Sequence, residues 1–235
     1  MRWKFILGLL TTCAVLMSMS YTMLIPFLPM YLIQDLGVVK ADVDMWSGAI
    51  FAITFLVSGI MAPIWGALAD KKSRKLMALR AGFCLAITYF LGGLVTNPWE
   101  LLGVRFIQGL SAGLWPALLA IISVESPKLK LGFCMGVMQG GMTAGGVLGP
   151  LFGGLLADQF GMRMAFFIAA AALFLITLAL LFFVKEEPRK PDSNAKPVKI
   201  WDFSLCKIPA VKRMLICAGV VQLTILMQQP IMPLY

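Results

Sequence analysis

The sequence predicts an all-α membrane protein, and three observations carry that prediction. Seven stretches of 19 residues or more contain no Asp, Glu, Lys or Arg, in a 235-residue chain that is 60% apolar. A helix needs about 20 apolar residues to cross the hydrocarbon core. The basic residues gather in the short connections between these stretches, where they set orientation. A charged, proline-bearing segment then separates six of the stretches from the seventh. None of the stretches alternates polar and apolar residues as the strands of a membrane barrel do.

The first span is Phe5–Gln34, too long for the apolar core of a signal peptide and without a small-residue cleavage site before Pro26. Its LIPFLPMY carries Pro26 and Pro29, which free carbonyls and bend a helix. Met45–Ala69 is the second span, Ala81–Trp99 the third, Phe106–Val124 the fourth, Leu131–Ala157 the fifth and Met164–Val184 the sixth. Residues 1–184 form the expected six-helix bundle. Residues 185–211 hold Pro, Ser, Asn and many charges and read as a linker, with one surface turn around Trp201–Leu205. Residues 212–235 are the seventh span, and its closing QQPIMPLY repeats the Pro-x-x-Pro-x-Tyr of the first.

Charge orients the chain. With the N-terminus inside the cell, 17 of the 20 basic residues are cytoplasmic, including Arg2, Lys4, Lys71, Lys72, Arg74, Lys75 and Arg80. Lys40 and Arg163 fall outside, and Arg105 lies within a span. The net charge of +9 is thereby a topology signal rather than a nucleic-acid footprint. The chain has no histidine, and its five cysteines form no CxxC pair. Metal sites are not expected, and the cysteines read as small apolar residues. No P-loop is present. No catalytic dyad stands within a span, so an enzyme is not expected.

Four motifs point to function. The first is GALADKKSRK, with Gly66, Asp70, Lys71, Arg74 and Lys75 at the cytoplasmic end of span 2. Gly66 admits a neighbouring helix, and Asp70 falls one turn later on the same face. Arg74 and Lys75 can pair with it, and Glu125 is either a third partner or a balance for Lys128. The second is LLGVRFIQGLSAG, where Arg105 lies about seven residues inside span 4, roughly 10 Å deep. A central arginine costs about 2.5–3.5 kcal/mol to insert. It either faces a cavity or snorkels to the outer headgroups. The third is span 5, with glycines at 132, 136 and 140 and again at 141, 145, 149 and 153. Such steps of four make a smooth ridge for helix contact, which Pro150 interrupts with a permitted bend. The fourth is LIPFLPMY itself.

Taken together these motifs resemble the major facilitator superfamily. The pattern Gly-x-x-x-Asp-[Arg/Lys]-x-Gly-[Arg/Lys]-[Arg/Lys] matches at Gly66, Asp70, Lys71, Arg74 and Lys75, with Ser73 where the family has Gly. The resemblance implies a cytoplasmic latch between two halves. Arg105, Gln108 and Gly109 are similar to the family's span-4 motif, whose arginine is associated with proton coupling. Gly145, Gly149, Pro150, Gly153 and Gly154 resemble the motif of drug:proton antiporters, which marks exporters. The implied fold is the N-terminal six-helix half of a twelve-helix transporter, a 3+3 inverted repeat, plus helix 7. The implied cavity is lined by Met23, Phe27, Tyr31 and Trp115, with Met138, Gln139 and Met142 from span 5. For any one methionine, lipid-facing filler is the alternative.

The expected function is proton-coupled export of drug-like or other small amphipathic molecules in the intact protein. A sugar or metabolite transporter, or a non-transporting truncated fragment, is the alternative. Expected partners are the lipid bilayer, protons, a small-molecule substrate and a missing C-terminal half or a second copy, with no nucleic acid. No cofactor is expected, the proton gradient being the energy source. The expected location is the plasma (inner) membrane. No carboxylate lies deep in spans 1–6, so the proton carrier stays unassigned.

Overall fold

The computed structural model describes residues 2–71, 73–184 and 209–228, and among them the regular structure is all helical. The helices are α1 (Arg2–Thr22), α2 (Leu28–Gln34), α3 (Val43–Lys71), α4 (Arg74–Leu94), α5 (Pro98–Leu110), α6 (Leu114–Glu125), α7 (Leu131–Phe160), α8 (Met162–Phe183) and α9 (Pro209–Gln228). Among the described residues six segments are long and apolar enough to cross a membrane: Trp3–Thr22, Lys40–Ala69, Arg74–Leu94, Pro98–Glu125, Lys128–Phe160 and Met162–Phe183. The predicted seventh span is helical through Gln228, while Pro230, Pro233 and Tyr235 lie outside the described residues. So does most of the predicted linker, whose last residues, 209–211, already belong to α9.

Two of the expected spans are broken helices. Span 1 divides between α1 and α2 at residues 23–27, where Pro26 and Pro29 interrupt the ladder. Span 4 divides between α5 and α6 at residues 111–113, and Gly113 there has φ +118°, a conformation that favours glycine. Pro116 adds to that break, because it has no N–H for the Ala112 carbonyl four residues earlier. By contrast α7 runs unbroken through Pro150.

The packing follows a two-fold pattern. The principal pairs are α1 on α7, α4 on α8, and α3 on α5. If spans 1–3 are exchanged with spans 4–6, the span 1–span 5 pair becomes span 4–span 2, and span 3–span 6 maps onto itself. The two broken spans, 1 and 4, exchange as well. This is the geometry of an inverted 3+3 repeat.

Charge placed the start of span 3 too late. The helix begins at Arg74, capped by Ser73, whose Oγ accepts from the Leu76 N–H at 3.1 Å. Serine is a good N-cap, which gives the residue at the family's glycine position a local role. Arg80 is therefore not in a loop: it stands two turns inside α4 and is half-buried.

Candidate functional site

Two adjoining cavities run along α3, α4 and the broken fourth span. The first, about 340 Å³, has Met17, Tyr21, Phe55, Tyr89, Trp115 and Met142 in its wall, together with Gln108 and Gly109. Phe55, Gln108, Gly109, Trp115 and Met142 fall near the middle of their spans, so the cavity sits near mid-height. The second, about 390 Å³, lies toward the side of the bundle on which α1 begins, and has Trp65, Gly66, Arg74, Met77 and Arg80 in its wall. Ser58, Ala112, Gly113 and Pro116 border both. Among the described residues no carboxylate lines either cavity, and the charged side chains there are Arg74 and Arg80.

Arg105 lies beside the central cavity, only 4% exposed. Its Nη1 donates to Gln108 Oε1 at 3.2 Å, one turn along α5. Gln108 shares the wall of the central cavity with Tyr21 and Tyr89. The guanidinium is thus held inside the bundle and does not snorkel to headgroups. The backbone here is tight: a Cβ on Gly109 would stand 2.8 Å from the Thr54 carbonyl oxygen of α3.

The break in span 4 is held from α3 and α4. Trp65 Nε1 donates to the Leu110 carbonyl at 2.8 Å, and Arg80 Nη2 donates to the Ala112 carbonyl at 3.0 Å. The guanidinium lies 3.3 Å from the centre of the Trp65 ring. Backbone carbonyls released inside a membrane need such donors, since lipid supplies none. The buried Nε of Arg80 has no partner among the described residues.

The glycine ridge resolves into two unequal halves. Gly145, Gly149 and Gly153 are buried against α1. A Cβ on Gly145 would meet the Val15 carbonyl, one on Gly149 would lie 2.7 Å from Met19 O, and one on Gly153 2.6 Å from Met23 O. Gly154 faces the Phe27 ring instead, at 3.2 Å. Gly132, Gly136 and Gly140 have nothing within 4 Å. Only the 141–153 series is therefore an interface within the described chain.

The latch stretch is partly described. The side chains of Asp70 and Lys71 lie outside the described residues. Gly66 meets no atom within 4 Å of a would-be Cβ, so no described helix packs on it; it borders the second cavity. Arg74 borders that cavity too, and Lys75 Nζ donates to the Leu181 carbonyl near the end of α8 at 2.6 Å. Glu125 closes α6.

The residues expected to line a cavity fall in different surroundings. Trp115 and Met142 stand in the wall of the 340 Å³ cavity. Met23, Tyr31 and Met138 are core residues, exposed by 3%, 0% and 0%. Tyr31 donates its hydroxyl to the Gly92 carbonyl at 2.9 Å, tying α2 to α4. Phe27 packs on α7, and Gln139 is exposed. Residues missed by sequence are Tyr21, Tyr89, Trp65 and Arg80.

Comparison with known families decides the kinship. The model of the Major Facilitator Superfamily matches residues 10–235. The chain belongs to the major facilitator superfamily. Within it, the chain is 40% identical over 186 residues to multidrug resistance protein MdtG of Citrobacter koseri, covering 79% of this chain and 46% of that protein. The Yersinia enterocolitica MdtG is 38% identical over 187 residues, with 79% and 45% covered. The chain thus spans about half the length of the curated relatives it matches. Among solved structures, an inward-facing bacterial homologue of the lysosomal transporter Spinster superposes with TM-score 0.69 at 22% identity, over 88% of this chain and 48% of that one. The human organic anion transporter MFSD10 gives 0.66 at 21%, over 81% and 50%. The superfamily fold is therefore shared, and the chain covers its N-terminal half. With six apolar membrane-length helices among its described residues, the chain is a multi-pass membrane protein of that superfamily.

Proposed function

We propose that the intact protein is a proton-coupled exporter of drug-like or other small amphipathic molecules, working by alternating access. In this reading residues 1–184 are one wall of the path, 185–211 a cytoplasmic linker, and 212–235 the start of a second half. The central cavity carries the proposal: Tyr21, Tyr89, Trp115, Met17 and Met142 surround it at mid-height, next to the buried Arg105–Gln108 pair. Aromatic and methionine walls fit several apolar shapes, because thioethers and ring faces adapt without directional bonds. The multidrug names of the relatives point the same way.

The protein lies in the plasma (inner) membrane with its N-terminus cytoplasmic, so the second cavity is the cytoplasmic vestibule. Substrate enters it, passes the break in span 4, and reaches the mid-height cavity. Rocking of the two halves then exposes that cavity outward. Arg105 couples the proton by changing its partner from Gln108, and the latch stretch Gly66–Lys75 holds the outward-facing state. The work is done by the proton gradient, without cofactor, metal or covalent chemistry. Ethidium efflux from cells carrying the full-length protein tests the reading. Efflux abolished by a protonophore is expected; uptake of a sugar or metabolite without drug efflux contradicts it.

A further inference from the structure

The break in the fourth span is built so that two carbonyls need outside donors. Gly113 turns the chain with φ +118°, and Pro116 denies Ala112 O its helical donor. Leu110 O, at the end of α5, is taken by the Trp65 indole at 2.8 Å, and Ala112 O by Arg80 at 3.0 Å. The two donors are themselves stacked, with the guanidinium 3.3 Å from the ring centre. A Cβ on Gly113 would have Arg80 Nη2 as its nearest atom, at 3.6 Å. The clamp stands at the junction of the two cavities, because Ala112 and Gly113 border both.

We propose that Arg80, backed by Trp65, is a positioning residue for transport, which sets the Ala112–Gly113 wall that substrate passes between the two cavities. The proposal rests on the reading of these cavities as the transport path. A neutral donor would satisfy one carbonyl. Arginine adds a planar face that stacks while its fork donates, and lysine has no such face. A charge inside a span is costly, so its presence two turns into α4 asks for a use beyond capping one carbonyl.

The test compares Arg80→Lys, Arg80→Gln and Trp65→Phe in the full-length protein in proteoliposomes. KM and maximal rate for ethidium are measured per folded transporter. A second arm measures maleimide labelling of Ala112→Cys with and without Arg80→Lys. The expected result is a KM raised at least fivefold in both Arg80 variants, a smaller rise in Trp65→Phe, and labelling changed at least threefold. Unchanged labelling overturns the clamp whatever the parent transports. Changed labelling with parental KM, or variants that lose only folded protein, overturns the positioning role. A parent that moves no ethidium refutes the export reading instead, and the labelling arm still decides the clamp.

Discussion

Alanine at Gly149 should force α1 and α7 apart. A Cβ there would lie 2.7 Å from Met19 O and 3.0 Å from Met23 N, both backbone atoms of α1 or its end. Thr22 Oγ1 would be closer still, but that side chain can rotate. Ordinary contact is roughly 3.5 Å, so the backbones must separate by about 0.8 Å, the difference between roughly 3.5 and 2.7. Overpacking of this kind costs about 1–3 kcal/mol, a shift of a few degrees in thermal unfolding. The same movement displaces Met17, Ser18 and Tyr21, which α1 contributes to the central cavity. Gly146→Ala is the control, since its Cβ would meet Ser18 Oγ at 3.5 Å and Thr22 Cγ2 at 4.0 Å. Purified full-length variants in detergent, followed by thermal unfolding and by ethidium efflux, provide the assay. Gly149→Ala should unfold earlier and lose at least tenfold in efflux, while Gly146→Ala should match the parent. Equal behaviour of the two variants would refute close approach at the ridge as the reason for these glycines.

Arg105→Gln should leave membrane insertion near normal and reduce efflux at least tenfold, measured against protein abundance, because it keeps a polar group near Gln108 but removes the charge. Asp70→Asn should impair efflux with insertion retained; unchanged efflux would count against the latch. Tyr31→Phe should lower stability by about 1 kcal/mol, the net worth of one hydrogen bond, and change efflux little, since its hydroxyl serves Gly92 O and not the cavity.

The spans were legible because a charge inside hydrocarbon is costly, so uncharged runs mark them. That signal fails where a charge is held on purpose: Arg80 inside α4 displaced the expected start of span 3 from Arg74 to Ala81. The break in span 1 was legible from Pro26 and Pro29. The break in span 4 leaves no mark in the charge pattern, and Gly113 and Pro116 together carry it. Lining residues were the least legible. Lipid is as apolar as a protein core, so Tyr31 and Met138 in the core look like Trp115 and Met142 at the cavity. Glycine spacing showed that span 5 offers a ridge, yet only packing against α1 distinguishes Gly145 from Gly136.

Export powered by protons is read out by imposing a pH gradient across a vesicle membrane. Full-length protein is reconstituted into proteoliposomes with ethidium outside, and a pH gradient, acid inside, is imposed. Ethidium should accumulate inside those vesicles in which the cytoplasmic face is outward, with proton release that tracks it and with both signals lost in Arg105→Gln. Accumulation of ethidium that ignores the gradient, or none at all in vesicles of folded protein, would contradict proton-coupled export.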